Sequence, residues 1–360
     1  MPTVKNIDSI QYFLNRFPTI DSGYDYTVNY HSAAESKFTS LPTFVAEFFD
    51  CRIHACPLLI TNEDHMITDH VWNLTHQRKH KPQKTHGLWR EWSDTLDIDL
   101  PSISRRFNET YTYVWLPIDE ESANNPWHVW IDVISKFRLV QRRWSMDFTK
   151  YVFVLSNPSK YFDKVAKEFF PEIKYMVMPK SETWQFKHLI VPSLSNHTDG
   201  VTTPYLAPWI RTMKNILNVD SDRKRKIFVT RNDAKTRKLL NADKLMMALK
   251  GWETITLEDL PMTEQVRCFA EASHVISTHG AGLTNVLWCE PGTKVIEIQD
   301  PKMIHKKVYP ILSHQLGLKH EVYLAKTVAI DTGNTKPKGT KNWQMVNLRV
   351  DVPDLIRHID

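Results

Sequence analysis

A histidine followed by three small residues stands where a predicted strand passes into a predicted helix, in the sequence STHGAGLTN. Gly280 and Gly282 permit backbone conformations that bring the chain close to a ligand. The first N–H groups of a helix have no partner within it, and together with the helix dipole they bind anions. The sequence therefore predicts a phosphate-binding turn. The residues predicted to form it are His279, Gly280, Ala281, Gly282, Leu283, Thr284 and Asn285.

Short β-branched runs alternate with amphipathic stretches through the second half of the chain, which predicts a parallel sheet with helices on both faces. Ligands of such open sheets bind beyond the carboxyl ends of the strands. The predicted strands place Arg231, His279 and Glu297 at or near those ends, so we expect them on one rim of the sheet. The strands are predicted at 226–231, 252–258, 273–279, 293–299 and 319–325, and the helices at 241–251, 262–272 and 306–317.

The first half of the chain has a weaker pattern. Three apolar runs, at 151–156, 174–179 and 186–193, predict buried strands, with a helix at 161–170 and another after Pro126. The stretch 51–86 is rich in histidine and has poor periodicity. Turn-forming residues at 195–208 predict a linker.

Two segments, 226–249 and 261–298, resemble the signature of glycosyltransferase family 61. The signature has an arginine at a strand end, a basic stretch with an asparagine that opens the next helix, a Glu-Gln pair, the HGAGLTN turn, and Pro-Gly followed by a glutamate. These elements are Arg231, Arg237 with Asn241, Glu264 with Gln265, the 279–285 turn, and Pro291-Gly292 with Glu297.

The resemblance implies an α/β protein of the GT-B type, with two Rossmann-like domains facing each other across a cleft. It also implies inversion at the anomeric carbon, no obligatory metal and no further cofactor. Without a metal, cationic side chains and helix amides must neutralise the leaving diphosphate. We expect Arg231, Lys235, Arg237 and Asn241 to join the turn and Glu297 in binding a nucleotide sugar.

The expected reaction moves xylose or N-acetylglucosamine from a UDP-sugar to a hydroxyl of a glycan or glycoprotein. The acceptor-binding domain is expected at 1–204 and the nucleotide-sugar domain at 205–345. A final helix at 346–360 is expected to pack back on the first domain. A non-catalytic nucleotide-sugar or glycan-binding protein on the same fold stays open as the alternative.

A second element, Asn-Pro-Trp-His-Val-Trp-Ile-Asp, resembles the family's N-x-x-H-x-x-x-D pattern. His128 and Asp132 are four residues apart, so a helix places both on one face. Inverting transfer needs one base within reach of the acceptor hydroxyl. Either Asp132 is the base and His128 orients the substrate, or the roles are reversed. Asn125, Trp127 and Trp130 are expected to bind the acceptor, although a core position suits the two indole rings equally well.

The composition limits the class of protein and the partners that can be expected. Hydrophobic residues make up 42% of the chain and the net charge is +5, which fits a globular protein with a polyanionic ligand. The run from Arg223 to Lys226 is too short a basic cluster to indicate a nucleic-acid partner. Because there is neither a signal peptide nor an 18-residue apolar run, a soluble cytoplasmic enzyme of viral or bacterial origin is expected. The D-x-D sequences at 97–99 and 220–222 are interpreted as chance matches, so no metal site is predicted.

Overall fold

The structure is a computed structural model. It describes residues 3–6, 19–21, 25–30, 34–40, 42–54, 58–60, 65–67, 95–97, 102–108, 110–118, 122–144, 147–179, 182–193, 203–219, 222, 224–231, 234, 236–330 and 346–359.

Contacts divide the chain into two compact units. The first unit comprises residues 1–24 and 39–198, and the second comprises residues 25–38 and 199–360. The division at 198/199 lies six residues before the expected boundary at 204/205. No sequence pattern had indicated that residues 25–38 belong with the second half of the chain.

The first unit is built on a mixed sheet, in which eleven strands are described. The parallel part of this sheet has the order β12-β11-β10-β13, and β13 then pairs antiparallel with the long β5. The strands are β1 (Thr3–Asn6), β2 (Thr19–Asp21), β5 (Thr43–His54), β6 (Leu58–Ile60), β7 (His65–Ile67), β8 (Thr95–Asp97), β9 (Arg105–Phe107), β10 (Thr112–Leu116), β11 (Tyr151–Leu155), β12 (Lys174–Val177) and β13 (Thr183–Pro192).

The strands predicted near 151, 174 and 186 are therefore confirmed, and they lie in the parallel part of a sheet that also contains the antiparallel strand β5. The antiparallel strand β5 lies in a part of the chain where alternation is obscured, because residues 43–46 are all buried. A strand covered on both faces reads as a continuous apolar run and not as an alternating one.

Two helices of the first unit matter for the site. Helix α1 runs over residues 126–143, and α2 over Lys160–Phe169. Both were predicted. Aromatic residues fill the core beside the sheet, with Trp115, Trp184 and Phe186 at most 1% exposed.

The second unit contains a five-stranded parallel sheet in the order β15-β14-β16-β17-β18, as the alternation predicted. Two further pairs of strands lie outside this sheet, β3 with β4 and, antiparallel, β19 with β20. The strands are β3 (Asp25–Tyr30), β4 (Ala34–Thr39), β14 (Arg225–Val229), β15 (Glu253–Ile255), β16 (Ala272–Thr278), β17 (Lys294–Gln299), β18 (Lys319–Leu324), β19 (Lys326–Ala329) and β20 (Val346–Arg349).

The second unit also contains the helices α3 (Leu206–Thr212), α4 (Ala242–Ala248), α5 (Met262–Ala270), a 3₁₀ helix (Ala281–Trp288), α6 (Val308–Gln315) and α7 (Val352–Arg357). Of these, α4, α5, the 3₁₀ helix and α6 connect the parallel strands. The chain reverses its direction across the sheet after β15. Because such crossovers are right-handed, α4 covers one face while α5, the 3₁₀ helix and α6 cover the other. The predicted doubly wound sheet is therefore present in this unit.

The end of the chain forms a helix, as predicted, but it does not pack as predicted. Leu355 and Ile359 are buried in the core of the second unit with Phe228 of β14 and Leu245 of α4. We had expected this helix to pack on the first domain. The sheet face covered by α4 leaves apolar surface that one short helix does not fill, and α7 contacts α4 there.

Within the described ranges, no helix combines the length and apolar character needed to cross a bilayer.

Replacement of Leu355 by alanine should destabilise the second unit by about 2–5 kcal/mol, because the side chain is completely buried and its removal leaves a cavity. Hydrogen exchange of peptides from β14 and β16, followed by mass spectrometry, measures the effect. Met247→Ala on α4 is the control, since Met247 is 80% exposed and its loss should change the opening free energy by less than about 0.5 kcal/mol. Equal effects of the two substitutions would contradict the assignment of α7 to this core.

Candidate functional site

The strand order of the second unit locates a crevice at one rim of its sheet. After β14 the chain moves to β15 on one side, then returns past β14 to β16 on the other. Where the order reverses, the loops that follow the two strands diverge and leave a crevice at their carboxyl ends, the usual ligand site of doubly wound sheets. Arg231 lies just beyond the end of β14, and His279 and Gly280 follow directly after β16.

Two arginine side chains meet at this rim. A Cβ atom at position 280 would lie 2.8 Å from Cζ of Arg231, so the guanidinium group rests against the Gly280 backbone. Nη1 of Arg237 donates a hydrogen bond of 3.0 Å to the carbonyl oxygen of His279. Burial, and next the neighbouring charge of Arg231, lowers the pKa of Arg237 to about 10. Both groups stay charged at neutral pH, so positive charge is concentrated where the crevice forms.

The backbone of Arg237 adopts the left-handed conformation, with φ of 58°. Residues other than glycine rarely adopt it, and such strained positions cluster at functional sites. Strand β20 holds the segment in place: the Arg237 N–H donates to the Val346 carbonyl oxygen at 2.6 Å, and the Leu348 N–H donates to that of Lys238 at 2.8 Å. The position of the guanidinium group therefore depends on a strand more than 100 residues further along the chain.

His279 belongs to a chain of buried polar groups. Its Nδ1 is hydrogen-bonded to Oε1 of Glu297, whose Oε2 lies 3.0 Å from Nε2 of His320. Nδ1 of His320 lies 2.8 Å from Oγ of Ser313. Burial by itself would raise the pKa of Glu297, but the charge and hydrogen bond of His279, followed by those of His320, hold the pKa well below its usual range. The carboxyl group is therefore an anion between two imidazole rings.

Strand register brings these groups together. Ser277 lies opposite Glu297, and Val295 lies opposite His320, so His279, Glu297 and His320 share one face of the sheet. This face is covered by α6, where Ser313 follows Tyr309 by four residues. The Tyr309 ring meets that of His279 edge-on, with the ring centres 5.3 Å apart.

Sequence reasoning located His279 and Glu297 but missed His320 and Ser313. The sequence predicted the three strands but not their order in the sheet, and the signal depends on that order. Once β16, β17 and β18 are placed side by side in parallel, a polar residue at the start of β18 comes next to the buried glutamate. Glu297 was expected to contact the ligand, but its side chain is 0% exposed, which favours an indirect role through His279.

The HGAGLTN turn begins a 3₁₀ helix, and its first intrahelical bond joins the Leu283 N–H to the Gly280 carbonyl oxygen at 2.9 Å. The amides of Ala281 and Gly282 precede that bond, which leaves them placed for an anion. Leu283, Thr284 and Asn285 are buried and pack into the unit.

The buried asparagine of the turn has an internal role. Nδ2 of Asn285 lies 3.2 Å from the Gly282 carbonyl oxygen and 3.4 Å from Oε1 of Gln265. Nε2 of Gln265 in turn donates to the carbonyl oxygens of Leu257 and Leu260. A Cβ atom at Gly282 would approach Leu257 to 2.8 Å. Gln265 of the signature therefore holds the turn in place together with Asn285.

The side chain of Asn241 also makes hydrogen bonds within the protein. Its Nδ2 donates to the Val350 carbonyl oxygen at 2.9 Å, and its Oδ1 accepts from the Val350 N–H at 3.1 Å. The residue stands at the start of α4, yet its side chain joins that helix to the end of β20 instead of capping it.

Lys235, expected to bind the diphosphate, lies outside the described residues, as do Asp99 and Asp220 of the D-x-D sequences. Elsewhere in the described part of the chain, no His, Cys, Asp and Glu side chains cluster as a metal site.

The predicted His-Asp pair forms in the first unit. His128 and Asp132 lie on α1 with Nδ1 and Oδ2 2.6 Å apart, and their side chains keep 18% and 16% of their surface exposed. Between Val129 and Ile134 the helix widens into a π turn. Such turns are rare and occur frequently at functional sites. The pair is therefore in contact and accessible, as either base assignment requires.

A buried lysine lies one helical turn after this pair on α1. Lys136 follows Asp132 by four residues, and it is 1% exposed. Burial lowers the pKa of Lys136 to about 8, although the charge of Asp132 opposes the shift. No sequence pattern had distinguished Lys136 from the other basic residues of α1, because whether a lysine on a helix is buried depends on what covers it.

The residues expected to bind the acceptor have local structural roles. Oδ1 of Asn125 accepts the Trp127 N–H at 3.0 Å, which caps α1 just before Pro126. Trp127 is 6% exposed and Trp130 only 1%. Nε1 of Trp130 donates to the Tyr161 hydroxyl at 3.2 Å, and its ring packs edge-on against Phe169. Of the two interpretations considered for the tryptophans, the core position is the one observed.

One family match covers both the His128–Asp132 pair and most of the residues at the rim of the parallel sheet. Residues 126–296 match the family model of glycosyltransferase 61, a range that begins at the start of α1 and ends within β17. This match supports assignment of the chain to glycosyltransferase family 61. A β-1,2-xylosyltransferase from rice (Oryza sativa subsp. japonica) is 42% identical over 59 residues, which cover 16% of this chain and 11% of that protein. The family-model match includes the His128–Asp132 pair, Arg231, Arg237 and the HGAGLTN turn, whereas Glu297 and His320 lie beyond residue 296.

The buried amino group of Lys136 predicts a pH dependence of stability. Its pKa in the folded protein, about 8, is below the ordinary value of 10.5, so between these values the unfolded chain binds more protons and stability rises with pH. From pH 7 to 9.5 the free energy of unfolding of the native protein should gain about 2 kcal/mol relative to that of Lys136→Met. Denaturant titrations of both proteins at the two pH values measure this difference. A constant difference would mean that Lys136 is solvated, and Lys164→Met on α2, where the lysine is exposed, should give that constant result.

Proposed function

We propose that this protein is an inverting, metal-independent glycosyltransferase that moves xylose or N-acetylglucosamine from a UDP-sugar to a hydroxyl group of a glycan or glycoprotein. The family assignment supports transfer of a sugar. The observation that carries the proposal is the meeting of Arg231 and Arg237 against the His279–Gly280 backbone at the crevice of the parallel sheet. This arrangement is suited to a diphosphate.

The charges of Arg231 and Arg237 favour a bound anion between them. Two guanidinium groups this close repel each other, and burial disfavours the charge of Arg237 further. Nε of Arg237 is buried and makes no hydrogen bond within the described part of the chain. A bound diphosphate would relieve the repulsion and accept hydrogen bonds in the two-pronged geometry that a guanidinium group offers. Its remaining oxygens would meet the amides of Ala281 and Gly282.

In the proposed reaction, the acceptor oxygen attacks the anomeric carbon of the donor sugar from the side opposite the diphosphate. The new C–O bond forms as the bond to the β-phosphate oxygen breaks, and the configuration inverts. The acceptor proton passes to a base on α1, and UDP leaves with the negative charge. Arg231, Arg237 and the two amides stabilise that charge as it develops.

Asp132 is our preferred base, with His128 holding it in place through the bond between Nδ1 and Oδ2. In the reverse assignment Asp132 accepts the Nδ1 proton of His128, and Nε2 of the ring receives the acceptor proton. Both assignments use the same contact, and the exposed fractions of the two side chains are nearly equal.

Arg231→Gln and Arg237→Gln should each weaken UDP binding about 10- to 100-fold, since each removes a charge-assisted hydrogen bond to the diphosphate. Isothermal titration calorimetry with UDP measures the affinity. Arg357→Gln is the matched control, because Arg357 lies on α7 in the same unit with its side chain 71% exposed and paired with Asp354. UDP binding that is unaffected by either of the first two substitutions would refute the diphosphate site.

Asp132→Asn and His128→Gln should lower kcat for sugar transfer about 100-fold or more while leaving the affinity for UDP unchanged. Release of UDP from UDP-xylose and UDP-N-acetylglucosamine in the presence of glycan acceptors gives the rate. Asp163→Asn on α2 is the control, since this aspartate is exposed and hydrogen-bonded to Tyr175.

The two assays together separate the enzyme from its alternative. A native protein that binds UDP-sugars tightly but releases no UDP with any acceptor would favour a non-catalytic binding protein. A turning-over enzyme that is unaffected by both substitutions on α1 would show that the base lies elsewhere.

A further inference from the structure

A buried chain of four polar groups ends at the rim of the sheet, and three of the four lie beyond the family match. In order it consists of Ser313 on α6, His320 on β18, Glu297 on β17 and His279 after β16. Each is hydrogen-bonded to the next. The exposed fractions of the last three side chains are 4%, 0% and 10%, so His279 is the member with most access to solvent.

We propose that Ser313 and His320 are positioning residues that place the positive charge of this cluster on His279, so that its imidazolium ring donates a hydrogen bond from Nε2 to the diphosphate. This proposal rests on the function proposed above and adds a third protein cation to the donor site. Its basis is the direction that each hydrogen bond must have.

Glu297 fixes the first two directions. It is an anion with no exposed surface, and an isolated buried carboxylate is strongly disfavoured, so the groups bonded to it must donate. Nε2 of His320 donates to Oε2, and Nδ1 of His279 donates to Oε1. A buried ion is stable only if its charge is compensated, and the two rings are the groups hydrogen-bonded to it, so the proposal places a positive charge on one of them.

Ser313 decides between the two rings. Its hydroxyl is 0% exposed and lies 2.8 Å from Nδ1 of His320. A hydroxyl both donates and accepts, but a neutral histidine that donates from Nε2 has an acceptor at Nδ1, and the buried Ser313 proton then has a partner there. This arrangement satisfies every group while His320 stays neutral. The charge that Glu297 requires consequently falls on His279.

The surroundings of His279 agree with a ligand beside it. Arg231 and Arg237 approach from the β14 side, Glu297 and His320 lie on the adjacent strands, and Tyr309 covers the ring from α6. The two arginines oppose a third cation, and Glu297 favours it. With Nδ1 bonded to Glu297, Nε2 is the ring atom left for a ligand, since no hydrogen bond to it is found among the described residues.

Nitrogen-15 NMR of the histidine rings tests the proposal directly in the free protein at pH 7. Both ring nitrogens of His279 should be protonated, whereas His320 should carry a proton on Nε2 alone. His279→Gln and His320→Gln assign the two sets of signals. A doubly protonated His320, or a neutral His279, would overturn the proposal. This result does not depend on whether the protein transfers a sugar.

Binding of UDP gives a second, independent readout. His320→Gln keeps a neutral donor toward Glu297 and should retain UDP affinity within about threefold, while His279→Gln loses the proposed charge and should lose about tenfold or more. His320→Leu removes the donor and should behave like His279→Gln. If His320→Gln weakens binding as much as His279→Gln does, the charge lies on His320 and the proposal fails. His358→Gln is the control, because His358 forms a partly exposed pair with Glu321 in the same unit.

Discussion

A completely buried carboxylate, that of Glu297, is the constraint on which the rim of the parallel sheet depends. It cannot be left without compensation, because an unpaired charge in the interior costs several kcal/mol. Three parallel strands and one helix must therefore hold their polar groups in register around it. The same requirement orients His279 at the end of β16, immediately before the turn that we propose to bind the diphosphate. The need to compensate one charge thus links the core of the sheet to its rim.

The arginines at that rim depend on remote parts of the chain. Arg237 has a left-handed backbone that it would not retain in isolation, and hydrogen bonds to β20 hold it there. Asn241, four residues further on, is fixed to Val350 in the same way. Residues of the family signature that look like ligand contacts thus divide into two groups. Arg231 and Arg237 lie at the crevice, whereas Asn241 joins the start of α4 to the end of β20, and Asn285 and Gln265 hold the 279–285 turn.

Much of the second unit could be predicted because each parallel strand is a short apolar run separated from the next by an amphipathic helix. The rim followed from that order, as did the contact between His128 and Asp132. Strand β5 was missed because its burial on both faces hides the alternation, and the orientation of Trp127 and Trp130 was left open because helical spacing does not specify what covers each face. His320 and Lys136 depend on packing between elements distant in sequence, which no local pattern records.

The contribution of residues 346–359 to the second unit has a consequence for biosynthesis. Phe228 of β14 shares its core with Leu355 and Ile359, and the loop that carries Arg237 is pinned by β20. A ribosome adds residues one at a time from the amino terminus, so β14 emerges long before the partners that complete its environment. The first unit has its described elements translated by then and can fold during synthesis. The second unit can mature only after residues 346–359 have left the exit tunnel, and until then its apolar face would need protection from aggregation.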